Sequence, residues 1–83
     1  MQYLLMCRSL TYAQRSARVL EQAGIGASVS RAPRSVSTRG CGYVVTVSQK
    51  HYARAMELLT RSGIRPEKVY RREADGAVAE AEP

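Results

Sequence analysis

The chain has no tryptophan and no phenylalanine, so five tyrosines are its only aromatic rings. It has one histidine, His51, and two cysteines, Cys7 and Cys41. Two thiols do not make a disulfide framework, and reduced thiols in a cytoplasmic setting are the default reading. Two cysteines and one histidine, none closely spaced, are too few for a zinc cluster, so no metal site is expected. Gly24-Ile25-Gly26 follows a helical stretch rather than a strand and reads as a turn, so no phosphate cradle is indicated, and no cofactor is implied. Paired carboxylates are lacking too, because Glu21 and Glu57 fall on helix surfaces. No apolar run approaches the ~20 residues that span a bilayer. The opening Met-Gln-Tyr-Leu-Leu-Met-Cys-Arg lacks the basic leader of a secretion signal. These absences point to a cytoplasmic domain, away from membranes, without independent turnover.

Acidic residues are scarce in the body of the chain. All thirteen Lys and Arg lie within residues 1–72, opposed there only by Glu21, Glu57 and Glu67, which leaves +10. The four remaining acids, Glu73, Asp75, Glu80 and Glu82, give residues 73–83 a charge of −4. A body this basic suits an anionic partner, whether nucleic acid, phosphate or an acidic protein surface.

With 83 residues the chain is one domain at most, with a modest core. Residues 2–7 form an apolar run of strand length. Ser9 or Thr11 can cap a helix whose Leu10, Ala13, Ala17 and Leu20 share a face, and Gly24 ends it. A weak strand follows near Ala27–Arg31, closed by Pro33, and Tyr43–Val47 is the clearest strand. A second helix spans about residues 49–61, with Tyr52, Ala55, Met56 and Leu59 as its buried stripe and Gly63 as its stop. Glu67–Arg72 completes a β-α-β-β-α-β order. That order predicts an α+β, ferredoxin-like fold, a four-stranded antiparallel sheet with both helices on one face, over residues 1–72. Residues 73–83 read as an acidic, disordered tail.

In that topology Cys7, Arg8, the amides of residues 9–12, the 34–39 loop and Cys41 share one end of the molecule. Cys41 is the candidate reactive thiol. Arg34 and Arg39 favour the thiolate, the form in which cysteine reacts or carries sulfur or selenium. Gly40 and Gly42 on either side reduce steric cover and let backbone amides approach. The plainer alternative is a small buried filler at a strand end. Cys7, in an apolar strand, reads as core, and its expected nearness to Cys41 leaves a second, resolving thiol or a reversible disulfide open. His51 is expected at the far end of the sheet, as a surface residue.

Arg39-Gly40-Cys41-Gly42-Tyr43-Val44-Val45-Thr46 resembles the motif on the third strand of RNA-recognition domains. Cys41 and Thr46 replace two of its aromatics, and each stacked base contributes ~1–3 kcal/mol. A single-stranded RNA-binding module using Tyr43, with Tyr3 and Tyr70, on an open sheet face is therefore the alternative function, and weak, non-specific nucleic-acid binding is the milder form. A non-catalytic interaction or regulatory domain is a third reading.

Most of the body resembles the selenium/sulfur carrier-like family of small bacterial domains. The resemblance lies in Tyr3 within the opening strand, Ser9 before an Ala-rich helix, and Gly24-Ile25. It continues through Pro33-Arg34-Ser35-Val36-Ser37 leading to Cys41-Gly42, and Glu67-Lys68-Val69-Tyr70. The stretch from Arg34 to Cys41 is one residue longer and more basic than the family pattern. The resemblance implies Cys41 as carrier residue, with Arg34, Ser37 and Gly42 as companions. Its expected partners are a donor such as a cysteine desulfurase-type enzyme and an acceptor protein thiol.

Overall fold

The computed structural model describes residues 1–32 and 42–81. Its elements are β1 (Gln2–Cys7), α1 (Leu10–Gln22), β2 (Ser28–Arg31) and β3 (Tyr43–Ser48). A 3₁₀ turn (Gln49–His51) leads into α2 (Tyr52–Arg61), and β4 (Lys68–Arg72) and β5 (Val78–Ala81) follow. The strands form one antiparallel sheet in the order β2-β3-β1-β4-β5.

The expectation of four strands is corrected to five. β5 falls in the stretch read as a disordered tail, where Val78, Ala79, Glu80 and Ala81 pair with Arg72, Arg71, Tyr70 and Val69. Asp75-Gly76 turns the chain. The Ala77 amide donates to Asp75 Oδ1 at 2.9 Å, and the Glu73 amide donates to the Ala77 carbonyl at 2.8 Å. The Lys68–Glu80 and Arg71–Glu73 pairs, 3.3 and 2.8 Å, hold acids of this hairpin against the basic β4.

Ser9 caps α1, its hydroxyl accepting from the Tyr12 amide at 3.3 Å. The face that packs on the sheet is Ala13, Ser16, Ala17 and Leu20. Leu10, expected on that face, is 41% exposed because it opens the helix ahead of the sheet contact. Both helices end alike: the Ile25 amide donates to the Leu20 carbonyl and the Ile64 amide to the Leu59 carbonyl, each at 2.9 Å. Gly63 stands at the second of these corners with φ +74°, and Ile64 packs beneath it. Gly63→Ala, which forces a side chain into that backbone region, should lower stability by about 1 kcal/mol and the unfolding temperature by roughly 4–8 °C. A thermal melt with no shift would mean that this corner is not held left-handed.

The core lies between the helices and one sheet face. Leu5, Cys7, Val45, Val47 and Val69 meet Ala13, Leu20, Ala55 and Leu59 there. Tyr52 stacks on Tyr3 at 3.8 Å, 12° from parallel. The opposite sheet face has its own small cluster, Leu4 and Val44, flanked by Met6, Ala32, Tyr70 and Val78. Among the described residues, no helix is long and apolar enough to cross a membrane.

Candidate functional site

Antiparallel pairing gathers several chain ends at one edge of the sheet. β1 finishes there at Cys7, which lies opposite Tyr43, the first residue of β3. α1 begins two residues beyond Arg8, β2 ends there at Arg31, and β4 starts there, with Lys68 opposite Met6. The Ala32 amide donates to the Gly42 carbonyl at 3.1 Å, so the chain leaves and re-enters the sheet through a closed gate. Gly42 has φ +119°, a region that other residues rarely adopt. A side-chain carbon added to it would sit 3.7 Å from the Cys7 carbonyl oxygen and 3.8 Å from Met6 Sδ. Of the residues singled out from sequence, the structure brings together Gly42 and Cys7. Arg34, Ser37, Arg39, Gly40 and Cys41 lie outside the described residues.

Cys7 is a free, buried thiol, 4% exposed, on the helix side of β1. Its Sγ donates to the Leu5 carbonyl at 3.7 Å. Burial pushes its pKa above the ordinary value; the Ser16 hydroxyl pulls the other way, and the charge of Glu67 adds to the rise. The Ser16 hydroxyl also donates to the Tyr12 carbonyl at 2.8 Å. Cys7 is thus a neutral thiol at neutral pH, a poor nucleophile and a good core residue.

Two consequences are measurable in a Cys41→Ser background. Alkylation of Cys7 by iodoacetamide should be at least ~100-fold slower in the folded than in the denatured protein, since the folded-state thiol is buried and held protonated. A folded-state pKa above the unfolded one means that the contribution of Cys7 to stability is constant below ~8.5 and falls as pH rises beyond it, where the unfolded thiol ionises first. Replacing Cys7 with Ala should flatten that part of the profile. Fast alkylation with unchanged pH dependence would show an accessible thiol instead.

Beside Cys7 the structure opens a crevice of about 140 Å³, walled by Arg8, Tyr12, Ile64, Arg65 and Glu67. The Arg8 guanidinium lies 5.3 Å from the Tyr12 ring centre and 3.9 Å from Glu67 Oε1, both groups more than half exposed. Such a pair contributes little to stability. This crevice escaped the sequence reading. Its charged residues bracket the end of β1 and the α2–β4 turn, some sixty positions apart, and the only local sign was a charged pair around Pro66 after a helix stop.

The register corrects the placement of the tyrosines. Tyr3 and Tyr43 alternate in step with Leu5, Cys7, Val45 and Val47, so both face the helices. Of the rings expected on the open face, only Tyr70 is there, and that face is partly closed over Leu4 and Val44. A stacking platform built on Tyr43 is therefore absent. His51, half-buried, shares a 3.1 Å hydrogen bond with Ser48 Oγ at the end of the sheet away from Cys7.

A family model described as "Putative Se/S carrier protein-like" matches residues 2–71. No curated protein and no solved structure matches the chain.

Proposed function

Since the chain belongs to the Se/S carrier protein-like family, we propose that it carries sulfur or selenium on the thiol of Cys41. The observation that carries this reading is the family match, which spans Cys41 and ends before β5. The chemistry of the other thiol supports it. The chain has two cysteines, and Cys7 is buried and held protonated, so acceptor chemistry falls to Cys41. The Cys41 thiolate attacks the outer sulfur of a donor protein's persulfide. The new S–S bond forms as the donor's own S–S bond breaks, and the donor departs as a thiolate. Cys41 then holds the persulfide, and an acceptor thiol takes the outer sulfur by the same exchange, returning Cys41 to the thiolate. The charge of this stretch supports an anionic cargo: Arg39 lies two residues and Arg34 seven residues before Cys41, and Ser37, Gly40 and Gly42 offer hydroxyl and amide donors. The donor fits a cysteine desulfurase-type enzyme, the acceptor a protein thiol, and the setting the reducing cytoplasm.

The experiment is intact mass measurement after incubation with a cysteine desulfurase and L-cysteine. One added sulfur per chain is expected. A mass unchanged under conditions that load a known persulfide acceptor would overturn the reading.

A further inference from the structure

The crevice at the end of β1 combines three kinds of group, each matching a different part of one small molecule. Arg8 and Arg65 provide guanidinium groups, and Glu67 provides a carboxylate. Among the described residues Arg65 has no ion-pair partner, and Glu67 is held only by Arg8 at 3.9 Å. Among the described residues no other ion pair competes with a ligand for these charges. The first turn of α1, which supplies Tyr12, has no acidic residue, so its partial positive charge adds to that of the guanidinium groups. Cys7 and Ile64, both about 4% exposed, form the buried, apolar wall of the crevice. The volume of about 140 Å³ equals roughly four or five waters at ~30 Å³ each.

From this juxtaposition we infer that the crevice is a binding site for a free, thiol-bearing α-amino acid, L-cysteine or its selenium analogue. The carboxylate lies against Arg65 and Arg8, where planar guanidinium groups match it in shape and charge. The ammonium lies against Glu67. The thiol or selenol points inward to Cys7 and Ile64, where a protonated neighbour neither repels it nor competes for it. The site would keep the small thiol at the end of the sheet where the chain passes through Ala32 and Gly42. The inference rests on the carrier reading only in its choice of a chalcogen-bearing side chain; the zwitterion recognition follows from the charges.

The test is an amide-resolved NMR titration of the full chain, under reducing conditions, with L-cysteine, cysteamine and 3-mercaptopropionate. L-cysteine should shift the amides of Arg8, Tyr12, Gly63 and Ile64 saturably. Cysteamine lacks the carboxylate and 3-mercaptopropionate lacks the ammonium, and each should bind at least ~10-fold more weakly, since a charged hydrogen bond contributes ~1.5–3 kcal/mol. Arg65 and Glu67 are exposed, so Arg65→Ala and Glu67→Gln should fold normally. The first should abolish saturation, and the second should erase the preference for L-cysteine over 3-mercaptopropionate. Equal affinity for the three ligands, shifts elsewhere, or undiminished binding by Arg65→Ala would overturn the assignment. Cys41→Ser should titrate like the wild type even though it cannot carry sulfur, so the site and the carrier reading stand or fall separately.

Discussion

Cys41→Ser should lose the added sulfur completely, whereas Cys7→Ser should still accept one sulfur per chain. The contrast follows from where the two thiols sit. Cys7 closes β1 under α1, against Ala13 and Ile64, and burial keeps it protonated. Persulfide transfer needs a thiolate, and the Cys7 thiol is held protonated. Cys41 has glycine on both sides and arginine two residues before it. Because Cys7→Ser puts a hydroxyl into the core, it should lower stability, so loading is to be compared at equal folded fraction, checked by circular dichroism. Loss of loading in Cys7→Ser, with retention in Cys41→Ser, would reverse the assignment.

The largest effect on stability should come from Leu5→Ala. Leu5 is fully buried at the middle of β1, the strand between β3 and β4, opposite Val45 on one side and Val69 on the other. Truncating it removes contacts on both sides and leaves a cavity under the helices, which costs about 2–5 kcal/mol. A domain of this length has roughly 4–12 kcal/mol in all. The urea midpoint should therefore drop by ~1–5 M, given a slope of ~1–2 kcal/mol/M. Leu10→Ala is the control. Leu10 has the same side chain but is 41% exposed, so its replacement should change stability by no more than ~0.5 kcal/mol. Comparable losses from the two would mean that Leu10 is buried as deeply as Leu5.

The order β-α-β-β-α-β was legible because each element carried local signals that tertiary packing had no reason to override. Ser9 before α1, the glycines after both helices, and the 3.6-residue spacing in α2 each have a direct physical cause. β5 was not legible. Ala79, Glu80 and Ala81 have little strand preference, and the segment is ordered by pairing with the free edge of β4 and by its ion pairs with that strand. Asp75-Gly76 was the local hint, a common hairpin turn that the missing apolar residues masked.

The site was legible only in part, for a different reason. Period-two alternation shows which residues of a strand share a face, but not which face meets the helices. In Tyr43-Val44-Val45-Thr46-Val47 both alternating sets contain valine, and in Tyr3-Leu4-Leu5-Met6 every residue is apolar. The ambiguity disappears only once Leu5, Val45 and Val69 are seen under α1 and α2, which turns Tyr3 and Tyr43 inward. The RNA-binding alternative depended on the other choice. Topology led to the expectation that Cys41, a position outside the described residues, lies near Cys7, whereas the Arg8, Arg65 and Glu67 crevice depends on a long-range contact.

The most direct test of the carrier claim is the location of the sulfur. Cleavage after Arg8, Arg39 and Lys50 separates the thiols into peptides 1–8 and 40–50. The loaded protein is alkylated to trap persulfides, digested with trypsin and mapped by tandem mass spectrometry. The added sulfur should appear on Cys41 in peptide 40–50, with peptide 1–8 carrying only an ordinary alkylated thiol. Sulfur on peptide 1–8, or on neither, would contradict the account.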